Sequence, residues 1–246
     1  MKWKVCPIQG RQLKDVRPED IMGHFRICST YRGGGGYDQF PYILIRRRPY
    51  LLSHLKGNPG IQFVVQLFGC HLNCPYCYVT RDGIFGDFIE YSSKELVDVF
   101  LEIAEKRGCG VFHLMGGAPA LYHKHWYEIL DILPSEYVFH SDLLLTEMEY
   151  DINALTAVRS PNALYAVNLK GTPKTHLENT GRKLNEKLFW DNFDKVVESG
   201  ISFYITVTKP DFDTPAFLDQ IEDRYGNRNV LEDSFFINII DYEAIK

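Results

Sequence analysis

Three cysteines fall inside eight residues, in the order Cys70-His71-Leu72-Asn73-Cys74-Pro75-Tyr76-Cys77. Thiolates are soft ligands that suit zinc and iron–sulfur clusters. Structural zinc sites are closed by four protein ligands, commonly two spaced pairs. No second pair follows here, and His71 is the nearest candidate for a fourth ligand. Three thiolates leave one coordination position open, which suits a [4Fe–4S] cluster whose fourth iron binds something other than protein. A non-catalytic zinc-binding interaction protein is the alternative reading. Cys6, Cys28 and Cys109 are scattered. Cys6, His24 and Cys28 are spaced widely for a second metal site and read instead as buried thiols. Such a distribution in a chain of 246 residues is not a disulfide framework and points to a reducing compartment.

The elements that must position this loop follow from periodicity. Residues 61–68, Ile-Gln-Phe-Val-Val-Gln-Leu-Phe, are rich in β-branched and aromatic types and read as a buried strand leading straight into Cys70. Ser92 and Glu95 make a capping box. Behind it Leu96, Val97, Phe100, Leu101, Ile103 and Ala104 recur on one helical face until Gly108 stops the helix. Strands are expected again at 110–115, 137–142, 163–170, 201–208 and 234–240. Helices are expected at 125–133, 147–158 and 184–198, and from Asp213 or Thr214 with Pro215 in the first turn. Six strands joined by helical connections make parallel βα units, so the fold class is α/β. A doubly wound sheet and an arc of barrel share this rhythm, and both place chemistry at the C-terminal strand ends.

Composition sets the remaining bounds. The chain is 45% hydrophobic and 24% charged with formal net charge −5, an ordinary globular balance. No run approaches the ~18 apolar residues of a membrane span, and Met1-Lys2-Trp3-Lys4 is not followed by the apolar stretch of an export signal. The reading is a soluble, cytoplasmic protein with no membrane partner. Residues 1–60 hold eleven Lys/Arg against four Asp/Glu, net +7, while residues 61–246 hold sixteen against twenty-eight, net −12. The first sixty residues lack the βα rhythm and divide the chain into an irregular basic segment, 1–60, and an α/β body, 61–246. That segment carries Gly33 to Gly36, Arg46-Arg47-Arg48 and the aromatics Tyr31, Tyr37, Phe40, Tyr42 and Tyr50. It is a candidate contact for a substrate or partner, or it packs beside the acidic remainder.

The C-x3-C-x2-C spacing after a strand, with Tyr76 just before the last cysteine, resembles the signature of radical S-adenosylmethionine (radical SAM) enzymes. Met115-Gly116-Gly117-Ala118-Pro119 is similar to the family's Gly-Gly-Glu-Pro element, with Ala118 where the family has an acidic residue. His140-Ser141-Asp142 and Asn168-Leu169-Lys170 fall where family members place polar groups. The resemblance covers about residues 58–242. It implies a partial (β/α)6 TIM-like barrel, a [4Fe–4S] cluster held by Cys70, Cys74 and Cys77, and S-adenosylmethionine as the second cofactor. Tyr76 would pack near the adenine, and the backbone of Gly116, Gly117 and Ala118 would receive the methionine amino group. Ser141, Asp142 and Asn168 would serve the methionine and ribose, and Lys170 the methionine carboxylate.

The implied reaction is reductive cleavage of S-adenosylmethionine and hydrogen abstraction from a substrate, fed by an electron donor such as flavodoxin or ferredoxin. More narrowly, Asn58-Pro59-Gly60-Ile61 and Val167-Asn168-Leu169-Lys170 are similar to stretches of glycyl-radical-enzyme activating enzymes. A glycyl-radical-type protein and a small anionic molecule bound by Arg46, Arg47 and Arg48 are the substrate classes left open, and nucleic acid is allowed but not favoured.

Overall fold

The computed structural model describes residues 1–8, 20–29, 40–47, 49, 53–77 and 79–237. The glycine run 33–36, Arg48, Tyr31, Tyr37, Tyr50 and residues 238–240 of the sixth expected strand lie outside the described residues. The first half of the chain holds β1 (Trp3–Val5), β2 (Ile21–Met22), β3 (Phe25–Ser29), α1 (Phe40–Arg47), β4 (Asn58–Gln66), α2 (Asp82–Phe85), β5 (Ile89–Tyr91), α3 (Ser93–Arg107) and β6 (Cys109–Met115). Then come α4 (Trp126–Leu130), β7 (Val138–Leu143), α5 (Ile152–Ala157), β8 (Ala163–Leu169), α6 (His176–Thr180), α7 (Glu186–Ser199), β9 (Phe203–Thr208), α8 (Thr214–Tyr225) and β10 (Phe235–Ile237).

Eight strands pair in the order β10-β9-β8-β7-β6-β4-β3-β2. Neighbours from β10 to β4 are parallel, as the βα repeat requires. Among the described residues the edge strands β10 and β2 do not pair, so the sheet is an open arc rather than a closed barrel. Residues before β4 hold more order than their lack of βα rhythm suggests. β3 adds antiparallel to β4, with Cys28 opposite Gln62, β2 extends it, and β1 pairs antiparallel with β5. These strands are two to five residues long, too short for alternation to stand out from composition.

One face of the sheet carries the helices and the other lines the arc. Phe63, Phe112, Phe139, Tyr165 and Ile205 belong to the main core with Phe100 of α3, Trp126 of α4 and Phe193 of α7. Alternation with period two sends Val111, Val138, Leu164, Ala166 and Tyr204 to the concave side. There they bury Ile43 and Leu44 of α1, which plugs the N-terminal end of the arc. Ser92 caps α3 through the expected capping box, and Gly108 ends it with φ 70°.

Two helices differ from expectation. Residues 119–125 form a 3-10 turn, opened by Pro119, before the shorter α4. α5 begins only at Ile152, where Asp151 accepts from the amides of Asn153 and Ala154. Residues 147–150 are therefore loop, and this places Glu147 at the cysteine cluster.

The arginines of α1 are committed within the fold. Arg46 pairs with Glu232, and its Nη1 stands 3.3 Å from Asp233 Oδ1; Arg47 also pairs with Asp233, whose side chain is fully buried. Leaving such a buried carboxylate unpaired would be costly. The basic segment thus meets the acidic body here, and an anionic ligand on Arg46 and Arg47 would have to displace these contacts.

Candidate active site and cofactor pocket

The cysteine loop leaves the C-terminal end of β4 and is tied at several backbone points. Gly69 N–H donates to Ile84 O at 2.9 Å, Asn73 N–H to Thr180 O at 2.8 Å, and Cys77 N–H to Cys74 O at 3.0 Å. Ala118 N–H donates to Gly69 O at 2.7 Å, so the loop after β6 braces the loop after β4. From behind, the buried Glu147 accepts from His71 N–H at 2.9 Å. A loop this constrained orders little on binding a ligand.

Cys70, Cys74 and Cys77 open onto a cavity at the C-terminal strand ends. Tyr76, Gly116, Gly117, Asp142, Asn168 and Lys170 line the same cavity. Asn168 and Lys170 share a face because strand side chains alternate, and Asn168 accepts from Thr206 Oγ1 on β9. Two expected contacts are not brought to it. Ser141, fully buried, sits one residue out of phase with Asp142 and faces the helix layer beside Leu114 and Tyr165. Ala118 is fully buried with Leu72 and Leu144, its methyl packed under the cysteine loop and its N–H spent on Gly69. A glutamate at Ala118 would put a charge in that apolar contact.

His140 also lines the wall, as do residues outside the expected set, among them Tyr204, Thr206, Thr208, Phe235 and Ile237. The period-two row along β9 was the available signal for Tyr204, Thr206 and Thr208.

Gly117 is required by its backbone. Its φ is +57°, and a Cβ there would lie 2.6 Å from Gly69 O and closer still to Leu67 O. Gly117→Ala is expected to displace the cysteine loop, costing about 1–3 kcal/mol in stability and lowering cluster occupancy. Thermal melts and iron analysis check this; an unchanged melt with full iron contradicts it.

Charges in the cavity are few. Burial pushes the Asp142 carboxyl up to about 6, against the pull of Lys170 and a hydrogen bond from Asn168. The folded state therefore holds this proton more tightly than the unfolded chain. The ionised carboxylate opposes folding above pH 6, and the penalty vanishes below pH 4. The gap from 3.8 to about 6 is worth at most about 3 kcal/mol. Asp142→Asn is expected to raise Tm at pH 8 and leave it unchanged at pH 4; equal shifts at both pH values would contradict the assignment.

Burial also pushes the Cys70 thiol up to about 12, with Glu147 adding to it, and raises Cys74 against Lys170. Such thiols stay protonated until a metal displaces the proton.

Deeper in the arc, the rings of His113 and His140 meet in a tilted arrangement, 4.1 Å between centroids. His113 Nδ1 bonds Gln62 Oε1 at 2.7 Å and His140 Nε2 bonds Tyr204 Oη at 3.0 Å. Their ligand atoms and those of Asp142 lie within 4.8 Å of one another. Burial holds both rings neutral, and the positive charge of Arg26 also bears on His113. That charge disfavours a dication here, and the group reads as a polar network that meets the cavity through His140 and Asp142.

Cys70, Cys74 and Cys77 supply three soft donors from one loop, one short of the four that close a structural zinc site. A family model described as the radical SAM superfamily matches residues 64–216, more than half of the chain. The chain belongs to the radical SAM superfamily. The superfamily uses a [4Fe–4S] cluster and S-adenosylmethionine, and the donor set around this cavity fits both.

No curated protein sequence matches the chain. Among solved structures, Streptococcus suis SuiB bound to precursor peptide SuiA is similar with TM-score 0.57 at 15% identity, over 82% of this chain and 45% of that one. A mutant of spore photoproduct lyase gives TM-score 0.54 at 13% identity, over 72% of this chain and 57% of that one. Native anSMEcpe with bound AdoMet gives 0.51 at 15% identity, over 70% and 49%. The chain spans about half the length of these proteins, and at such identities the likeness is one of fold. Among the described residues no helix is long and apolar enough to cross a membrane.

Proposed function

We propose that this chain is a radical SAM enzyme in which Cys70, Cys74 and Cys77 bind a [4Fe–4S] cluster and the adjoining cavity binds S-adenosylmethionine. The observation that carries this reading is that one cavity at the C-terminal strand ends is lined by all three thiols, by the Gly116-Gly117 turn and by Asp142, Asn168 and Lys170. When bound and reduced, the cluster supplies the electron that cleaves the cofactor's sulfonium to a 5′-deoxyadenosyl radical.

The chain's own residues do the rest. Lys170 offers the cavity an ammonium for a carboxylate, a charge-assisted contact. The turn at Gly116 and Gly117 lets the backbone approach a ligand without a Cβ between. Asn168, fixed by Thr206, offers its amide at a set orientation. Tyr76 and Leu72 wall the cavity beside the thiols, and Phe235 and Ile237 exclude water on the far side.

On the substrate side the cavity presents the hydroxyls of Tyr204, Thr206 and Thr208 beside His140, which suits a polar group. A one-electron donor of the flavodoxin or ferredoxin class would supply the reductant. None of the six cysteines forms a disulfide, which fits a reducing compartment such as the cytoplasm.

The test is anaerobic reconstitution followed by electron paramagnetic resonance with and without S-adenosylmethionine. The reading expects one [4Fe–4S] cluster per chain and a reduced signal that changes shape when the cofactor binds. Zinc alone in the thiol site, or a cluster signal indifferent to the cofactor, would overturn it.

A further inference from the structure

Glu147 has a fully buried side chain, and it lies in the loop between β7 and α5 where sequence periodicity expects helix. Its Oε2 accepts from the His71 amide at 2.9 Å and stands 3.3 Å from His71 Nδ1, while its Oε1 is 3.9 Å from Cys70 Sγ. The His71 ring meets the Glu147 carbonyl oxygen at 3.1 Å, so the contact is made twice. Burial raises the Glu147 carboxyl above its usual range, while the His71 amide and ring and the charge of Arg182 favour its ionised form. None of these partners stands between the carboxylate and the sulfur. A charge this close, shielded from water, acts strongly on whatever Cys70 binds.

Resting on the reading of Cys70 as a cluster ligand, we propose that Glu147 is an electrostatic positioning residue that makes the bound cluster a stronger one-electron reductant. Iron–sulfur potentials follow net charge, hydrogen bonds to sulfur and solvent exposure. Adding one electron increases the negative charge of the cluster, and a carboxylate beside a ligating sulfur opposes that addition. The midpoint potential falls, and the electron, once supplied by an external one-electron donor, is passed on more readily. Glutamine at this position keeps an oxygen for the His71 amide but removes the charge, and its amide can donate to the Cys70 sulfur. Both changes favour the reduced cluster.

The experiment is an anaerobic redox titration of reconstituted holoprotein, poised with dithionite and followed by the paramagnetic signal of the reduced cluster. Wild type, Glu147→Gln and Glu147→Asp are compared at equal iron content. For Glu147→Gln we expect the reduction equilibrium to shift at least tenfold toward the reduced cluster, which for one electron is about 59 mV more positive. Glu147→Asp keeps the charge one methylene further back and is expected to stay near wild type. Glutamine and aspartate variants that shift together, or a glutamine variant that does not move or becomes more negative, would overturn the proposal. A wild-type protein that takes up no cluster fails the underlying reading instead, and iron analysis shows this before any titration begins.

Discussion

Cys74→Ser is expected to lose the cluster. Serine nearly matches cysteine in size, and the loop around Cys74 is tied by backbone hydrogen bonds such as Asn73 N–H to Thr180 O and Cys77 N–H to Cys74 O, so the fold should survive. What changes is the donor: a hard hydroxyl replaces a soft thiolate, and two thiolates remain for a centre that needs three. Loss of a mere supporting partner costs about 10–100-fold at metal sites, so loss of a ligand should exceed the upper end of that range. After anaerobic reconstitution the variant should show background iron by elemental analysis and no measurable cleavage of S-adenosylmethionine, with an unchanged far-ultraviolet spectrum. Retained iron at the wild-type level would mean that Cys74 is not a ligand.

Lys170→Met should leave the cluster in place and weaken S-adenosylmethionine binding. Lys170 is the one cation on the cavity wall among the described residues, set at the end of β8 with Asn168 two residues before it. A hydrogen bond to a charged group is worth about 1.5–3 kcal/mol, which makes Kd about 10–100-fold larger. Lys170→Arg should not restore full affinity, because the planar guanidinium reaches further and bonds differently. Equilibrium dialysis on iron-matched protein measures both. Unchanged affinity in the methionine variant would remove Lys170 from the cofactor site and leave the carboxylate without a cationic partner on this wall.

The parts of this fold carried by long periodic segments were legible in the chain. The strand entering Cys70, the capping box at Ser92 and the even-numbered row on β8 all follow from local residue order, because period-two alternation and cap chemistry are local properties. What was not legible depends on the third dimension. Glu147 reads as the start of a helix, yet Asp151 takes the cap four residues later and frees the carboxylate to turn into the cysteine loop. Arg46 and Arg47 read as bait for an anion, yet Glu232 and Asp233, almost two hundred residues away, reach them when α1 plugs the arc. Ser141 and Asp142 are neighbours in sequence, yet adjacent strand residues face opposite sides. The place of Ala118 in its motif points to the cofactor, and its burial with Leu72 and Leu144 is visible only once both loops are folded.

The central claim is that this cavity unites a cluster and S-adenosylmethionine so that the sulfonium is cleaved. Its most direct test is the formation of 5′-deoxyadenosine by anaerobic, reconstituted protein supplied with S-adenosylmethionine and dithionite, followed by chromatography and mass spectrometry. The account predicts 5′-deoxyadenosine from the wild-type chain and none from Cys74→Ser. Wild-type protein that carries its full cluster and bound cofactor, yet yields no 5′-deoxyadenosine above the protein-free control, would contradict it.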